Sequence, residues 1–146
     1  MIRLATEADL PEMAEVTMRS KAHWGYDDAF LEACREELTP TRADLGPGLA
    51  VWDDGQIGGV ALVKDTGETA ELYALFIAPD AMGRGVGAAL FDWCCDHARR
   101  LGAKRIALDA DPFAEGFYLR KGMQRVGEVP SQTWPDRMLP RMELAL

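Results

Sequence analysis

The stretch that decides the fold is Pro79-Asp80-Ala81-Met82-Gly83-Arg84-Gly85-Val86-Gly87-Ala88-Ala89-Leu90, between an apolar segment and the longest predicted helix. Its alternating glycines let the backbone adopt positive φ angles and approach a ligand closely. The N-terminus of the following helix presents unpaired N–H groups and a partial positive charge, which suit a phosphate or pyrophosphate. Arg84 can add a charge-assisted hydrogen bond. The stretch predicts a phosphate-binding turn; the alternative is a glycine-rich connection that only packs a strand against a helix.

Two kinds of phosphate-binding turn fit these glycines. Gly83, Gly85 and Ala88 match the dinucleotide pattern, and Asp109 follows roughly 20 residues later, as that pattern requires. A dinucleotide turn, however, follows its first strand at once and belongs to a parallel sheet. Here residues 79–82 intervene, and the preceding strands are predicted to be antiparallel. The context therefore argues against a dinucleotide site.

The segments before the turn predict two helices and an antiparallel sheet. Thr6 and Asp9 have the spacing of a capping box, and Asp27 or Asp28 can cap a second helix that Pro40 stops. Turn residues at 53–56 separate two apolar runs, which is typical of a hairpin. The predicted elements are a strand over 2–4, the two helices, a hairpin over 49–63 and a strand over 71–78 that is covered on both faces.

The segments after the turn alternate between helix and strand. Residues 85–101 form the longest predicted helix, because apolar residues recur at intervals of three and four and Gly102 can end it. A strand over 106–108, a short helix over 113–120 and strands over 123–129 and 138–144 follow. We therefore expect a mixed α/β fold, and residues 1–146 are expected to form a single domain.

Composition excludes several classes of protein. The chain has 146 residues, of which 48% are hydrophobic and 27% charged, which is ordinary for a globular domain. Its net charge of -8 opposes nonspecific binding to nucleic acid or to anionic membranes. Cys34, Cys94 and Cys95 have no metal-binding spacing and indicate free thiols in a reducing compartment. No secretory or membrane-spanning segment is evident, so a cytoplasmic location is expected.

With these features in order, the sequence resembles the GNAT superfamily of N-acetyltransferases over nearly its whole length. The family signature is a glutamine or arginine, two residues, a glycine, one residue, and a glycine or alanine. Gly85 and Gly87 occupy the two small positions, Gly83 and Arg84 lie before them, and Met82 departs from the glutamine or arginine. Residues 114–123, AEGFYLRKGM, are similar to the family's late helix. The resemblance implies a mostly antiparallel sheet of about seven strands, splayed between strands four and five, with about four helices.

The resemblance also implies that the site binds acetyl-coenzyme A and needs no metal. The pyrophosphate would bind the backbone N–H groups of the turn, and the pantetheine arm would pair with the fourth strand as an extra strand would. The residues that this implication assigns to the cofactor are Leu75, Phe76, Ile77, Met82, Gly83, Arg84, Gly85, Val86, Gly87 and Ala88.

Two residues take catalytic positions of the family. Glu71 lies at the start of the strand that leads to the turn, where the family often has a general base; the alternative is an exposed strand-end carboxylate near Glu68. Tyr118 follows Phe117 in the family's tyrosine position and can protonate the departing thiolate. The alternative for Tyr118 is a buried tyrosine that packs the short helix.

The acceptor side is implied to include the loop after the first helix. Trp24 and Tyr26 can hold an apolar or cationic acceptor, or they can simply anchor the loop. Arg137 can border the acceptor or lie at a strand edge. The implied function is transfer of an acetyl group to an amine of a small molecule, peptide or protein, with a homodimer left open. The alternative is a noncatalytic module that binds or senses acyl-coenzyme A.

Overall fold

A computed structural model describes residues 1–146, and its centre is one seven-stranded sheet with helices on both faces. The seven strands and four helices agree with the architecture that the resemblance implied. The strands are β1 (Ile2–Leu4), β2 (Leu49–Asp53), β3 (Ile57–Asp65), β4 (Thr69–Ile77), β5 (Arg105–Asp109), β6 (Gln124–Pro130) and β7 (Met138–Ala145). The helices are α1 (Leu10–Ala22), α2 (Asp28–Leu38), α3 (Val86–Arg100) and α4 (Glu115–Arg120).

The strand order is β1-β2-β3-β4-β5-β7-β6, and every neighbouring pair is antiparallel except β4 and β5. The parallel pair needs a crossover, which α3 provides. The prediction of an antiparallel first half followed by alternating helices and strands is confirmed.

Local chemistry explains where the helices begin. The backbone N–H of Thr6 donates to Asp9 at 2.7 Å, so the predicted capping box is present, although it opens a short 3-10 turn before α1. The Asp27 carboxylate accepts from the N–H of Phe30 at 2.8 Å and caps α2. The predicted helix over 113–120 begins later, at Glu115, because residues 112–114 form a 3-10 turn.

A β-bulge in β4 separates it from β5. Leu62 pairs with Ala74 and Val63 with Leu72, so Tyr73 is the extra residue. β4 pairs with β5 only over three residues, Thr69 to Glu71, and the two strands diverge beyond them. A bulge bends its strand and increases the local twist, which accounts for the opening. The expected splay between strands four and five is therefore present.

The main core lies between the sheet and the helices. Most of the predicted apolar stripe of α3 is buried, with Val86, Leu90 and Cys94 at most 1% exposed, but Leu101 at its end is 38% exposed. The expectation that β4 is covered on both faces is wrong for its second half, because Leu75, Phe76 and Ile77 are only partly buried and border a cavity. All three cysteines are free and buried. None of the helices is long and apolar enough to cross a membrane.

We expect Gly48→Ala to lower the free energy of unfolding by about 1–3 kcal/mol, since overpacking a rigid site is costly. A Cβ at Gly48 would lie 2.2 Å from the backbone oxygen of Val63, which cannot rotate away. Gly127→Ala is the control, because a Cβ there meets nothing within 4 Å. Denaturant unfolding of both variants measures the difference, and equal stabilities would contradict the close approach.

Candidate functional site

The divergence of β4 and β5 opens a cavity of about 550 Å³ that runs from the glycine-rich turn to the loops beside α1 and α2. This volume lies in the range of small-molecule sites. Eleven of the residues predicted for the site line the cavity: Trp24, Leu75, Phe76, Ile77, Met82, Gly83, Gly85, Gly87, Ala88, Tyr118 and Arg137.

The turn before α3 carries a run of unpaired backbone donors. None of the six N–H groups from Gly83 to Ala88 donates a hydrogen bond within the chain, and pairing resumes where Ala89 donates to the oxygen of Gly85. These groups lie at the positive end of the α3 dipole. The arrangement suits a multiply charged anion such as a pyrophosphate.

Gly83 and Gly85 give the turn its shape. Their φ angles are +77° and +80°, a region that residues with a Cβ rarely adopt. Arg84 contributes its backbone N–H to the run, but its guanidinium is exposed, contacts Asp54 at 3.4 Å and does not line the cavity. Val86 is 1% exposed, belongs to the core and does not line the cavity, so it contributes only an unpaired backbone N–H to the run. Met82, at the position that departs from the signature, lines the cavity.

The second half of β4 has an unpaired backbone edge. One edge of this strand pairs with β3 as far as Ile77, whereas the other pairs with β5 only up to Glu71. An extended ligand can add to such an edge by main-chain hydrogen bonds. The edge at Leu75 to Ile77 borders the same cavity as the turn, so one ligand can contact both.

Tyr118 lies on α4 and lines the cavity although the residue is only 5% exposed. Its ring packs against Phe91 and Phe117, with centroids 6.1 Å and 5.1 Å away. Its hydroxyl forms no hydrogen bond within the chain. Burial, with smaller effects of Cys94 and Asp111, raises the pKa of Tyr118, so the hydroxyl stays protonated at neutral pH. It is therefore an available proton donor beside the cavity.

Glu71 does not line the cavity. Both of its carboxylate oxygens are bound by Arg141, at 2.6 Å and 3.0 Å, and Arg141 also binds Asp109 at 3.0 Å. This ion pair connects β4 to β7 beside the point where β4 and β5 diverge. The structure therefore places Glu71 near the opening but not in its wall.

A buried charge cluster lies where the cavity reaches the loops beside α1 and α2. The Lys21 ammonium lies 2.6 Å from Asp111, and the Tyr26 hydroxyl lies 3.0 Å from both Asp111 oxygens. Arg137 donates to the Tyr26 hydroxyl, and its guanidinium lies 3.5 Å from Asp111. Burial opposes ionisation of Asp111, but Lys21 and the hydrogen bonds from Lys21, Phe113 and Tyr26 hold its pKa below the usual value.

Aromatic rings surround this charge cluster. Trp24 stacks on Phe113 with centroids 5.6 Å apart, and Tyr26 stacks on Phe30 at 4.2 Å. Trp24 and Phe113 line the cavity, whereas Tyr26 contributes through its hydroxyl to Asp111. The predicted loop residues Trp24 and Tyr26 and the distant Arg137 are thus brought to one end of the site.

Several lining residues were not predicted from the sequence. Lys21 had a readable signal, since it falls four residues after the buried Thr17 on the packed face of α1, where a lysine is unusual. Asp111 lies just after the C-terminal end of β5, where side chains can reach a bound ligand. No nearby residue in the sequence indicates its hydrogen-bond and ion-pair partners. Glu37, Tyr73, Phe113 and Arg120 also line the cavity and carried no signal. No group of three or more His, Cys, Asp or Glu side chains is arranged to hold a metal ion.

Comparison with solved structures shows that the fold is shared by several acetyltransferases. The PaiA N-acetyltransferase of Thermoplasma acidophilum, in complex with coenzyme A, has a TM-score of 0.78 at 18% identity and covers 100% of this chain and 98% of its own. The ribosomal-protein-S18-alanine N-acetyltransferase of Escherichia coli has a TM-score of 0.71 at 17% identity, covering 99% and 92%. The yncA protein of Salmonella typhimurium, with its cofactor acetyl-CoA, has a TM-score of 0.70 at 22% identity, covering 100% and 93%.

These likenesses, all below 25% identity, establish the fold. No curated protein matches the chain significantly. At the level of families, residues 10–123 match the acetyltransferase (GNAT) family, a span that includes the glycine-rich turn, β4, β5 and α4. Because this match covers well over half of the sequence, the chain belongs to the acetyltransferase (GNAT) family.

Proposed function

We propose that the protein transfers an acetyl group from acetyl-coenzyme A to the amine of an acceptor. The observation that carries the proposal is the run of six unpaired N–H groups from Gly83 to Ala88, which opens into the same cavity as the Tyr118 hydroxyl. An anion-binding turn can hold the pyrophosphate of an acyl-coenzyme A, and a proton donor at the same cavity can protonate the departing thiolate.

The residues present fit acetyl-coenzyme A. The unpaired donors suit its pyrophosphate, and the unpaired edge of β4 at Leu75 to Ile77 suits the amide groups of its pantetheine arm. Neighbours of the same fold contain coenzyme A or acetyl-CoA, which supports this choice. When bound, acetyl-coenzyme A supplies the acetyl group as a reactive thioester.

We assign two proton transfers to residues of this chain. Tyr118 donates its phenolic proton to the departing thiolate, a role supported by its unpartnered hydroxyl beside the cavity. Glu71 is proposed as the base that removes the proton of the acceptor amine. Since Glu71 lies outside the cavity wall, it would act through water rather than directly.

Thiol release from acetyl-coenzyme A, measured with a broad panel of amines and with products identified by mass, tests the proposal. We expect coenzyme A release that depends on the acceptor, and acceptors heavier by one acetyl group. Tight binding of acetyl-coenzyme A, with no coenzyme A released in the presence of any amine, would instead support a noncatalytic sensor. A cytoplasmic location, a particular small-molecule or protein acceptor and a homodimer stay predictions from the sequence.

We expect Glu71→Gln to reduce kcat/KM near neutral pH by about 100-fold, because it keeps the shape of the side chain but removes the proton acceptor. A change smaller than about threefold with an unmoved pH profile would assign Glu71 a structural role.

Arg141→Gln is the matched control for Glu71→Gln. It breaks the same ion pair, whose distances are 2.6 Å and 3.0 Å, but it leaves the Glu71 carboxylate in place. If Glu71 is the base, Arg141→Gln should retain at least about tenfold more activity than Glu71→Gln. Equal losses of activity and of Tm in the two variants would mean that the ion pair matters only for structure.

A further inference from the structure

We propose that the acceptor carries a carboxylate as well as its amine, and that Lys21 and Arg137 bind this carboxylate. The inference rests on the proposed acetyl transfer and specifies its substrate class. It starts from hydrogen-bond donors in the charge cluster that no group of the chain uses.

Arg137 has unused donors in a confined place. Its only side-chain hydrogen bond is the one from Nη2 to the Tyr26 hydroxyl, so Nε and Nη1 have no partner in the chain. Its side chain is 22% exposed and lines the cavity. The guanidinium carbon lies 5.0 Å and 5.1 Å from the ring centroids of Tyr26 and Phe30, which orients the planar group. An oriented guanidinium with free edge donors suits a carboxylate.

Lys21 adds a second cation with free donors. Its side chain is 11% exposed, lines the cavity and has Asp111 as its one hydrogen-bond partner, which leaves two of three N–H groups unused. The buried hydroxyl of Ser131 is also in the wall. Donors from three separate segments therefore converge on this end of the cavity.

Asp111 cannot neutralise both cations. Its single negative charge faces Lys21 and Arg137 together, and its oxygens already accept from Lys21, from Tyr26 and from the N–H of Phe113. The buried cluster therefore keeps a net positive charge, which is costly away from water unless an anion compensates it.

Two other carboxylates line the cavity but do not neutralise the net positive charge of the cluster. Asp109 is bound by Arg141 at 3.0 Å. Glu37 is exposed, so water screens it, and it accepts from the Thr133 hydroxyl. With the anion held at Arg137, the amine of the same acceptor can extend toward Tyr118 in the continuous cavity.

The test compares acceptors in matched pairs: ω-amino acids of several lengths with alkylamines of equal length, and α-amino acids with their amides. We expect the carboxylate member of at least one pair to have a kcat/KM about tenfold or more above its neutral partner. Arg137→Gln should reduce this ratio to less than about threefold, and Arg137→Lys should retain part of it. The exposed Arg35 on α2 provides the control: Arg35→Gln removes one positive charge outside the cavity and should leave the ratio unchanged.

The outcomes separate this inference from the proposed function. If amines are acetylated without preference for the carboxylate member, or if Arg137→Gln leaves the preference intact, the carboxylate site is overturned and acetyl transfer stands. If Arg137→Gln instead weakens coenzyme A binding by tenfold or more, the unused donors serve the cofactor and the inference is overturned. If acetyl-coenzyme A binds but no amine in the panel is acetylated, acetyl transfer and the carboxylate site both fail.

Discussion

Gly85→Glu is expected to weaken coenzyme A binding by about 100-fold or more, equivalent to about 3 kcal/mol. Gly85 lies within the run of unpaired N–H groups and lines the cavity. A glutamate there places a negative charge and a side chain where the backbone must meet the pyrophosphate. Isothermal titration calorimetry with coenzyme A measures the loss, and circular dichroism shows whether the fold persists.

Backbone strain must be separated from charge in this experiment. Gly85 has a φ of +80°, so any residue with a Cβ there is strained by about 1–2 kcal/mol. Gly85→Ala shares that strain without the charge, and it should bind coenzyme A at least about tenfold more tightly than Gly85→Glu. Affinities of the two variants within about threefold of each other would argue against a pyrophosphate at the turn.

Gly87 gives a second comparison without strain. It lies in the first turn of α3 without a positive φ, and a Cβ there would come no closer than 3.4 Å to its nearest neighbour, Phe117. Gly87→Glu should therefore lose coenzyme A affinity relative to Gly87→Ala at similar Tm. If glutamate weakens coenzyme A binding relative to alanine at both Gly85 and Gly87, the loss of affinity is due to negative charge in the cavity.

Tyr118→Phe is expected to reduce turnover by about 100-fold while acetyl-coenzyme A still binds, because the hydroxyl acts mainly in the transition state. The ring that packs against Phe91 and Phe117 is retained. Since the hydroxyl has no hydrogen-bond partner in the chain, its loss should change the free energy of unfolding by less than about 1 kcal/mol. A large loss of rate with a small change in Tm is therefore the result that identifies an acid.

The measurement needs kcat, cofactor affinity and Tm from the same preparations. Single-turnover kinetics should first establish that the chemical step limits the wild-type rate. If the chemical step limits the wild-type rate and Tyr118→Phe turns over within about threefold of wild type, Tyr118 is a packing residue. The thiolate then leaves without a proton from Tyr118. A fall in affinity equal to the fall in kcat/KM would instead indicate a binding role.

The glycine-rich turn was predictable because its signals are local. Positive φ angles at Gly83 and Gly85, and free N–H groups at the start of a helix, follow from residues within a few positions of each other. The same holds for the Thr6 and Asp9 capping box and for the buried stripe of α3. Resemblance to a family then added the position of Tyr118, which lines the cavity as that resemblance implied.

The bulge at Tyr73 had no readable signal. It arises from the register between β3 and β4, where Leu62 pairs with Ala74 and Val63 with Leu72. The residues of β4 after the bulge are apolar, as in a fully buried strand. The sequence therefore predicted that both faces of this strand are buried. Only the pairing of neighbouring strands shows that half of this run borders a cavity.

The sequence by itself determined most of the elements, their order and the glycine-rich turn, since periodicity, capping and turn chemistry act over short separations. Tertiary structure alone decided which charges meet: Lys21 and Asp111 are 90 residues apart, Tyr26 and Arg137 are 111 apart, and Glu71 and Arg141 are 70 apart. Contacts over such separations depend on how α1, the strands and their loops pack together. For that reason the resemblance to a family could suggest Glu71 as a base, while neither its partner Arg141 nor the unused donors of Lys21 and Arg137 were predictable.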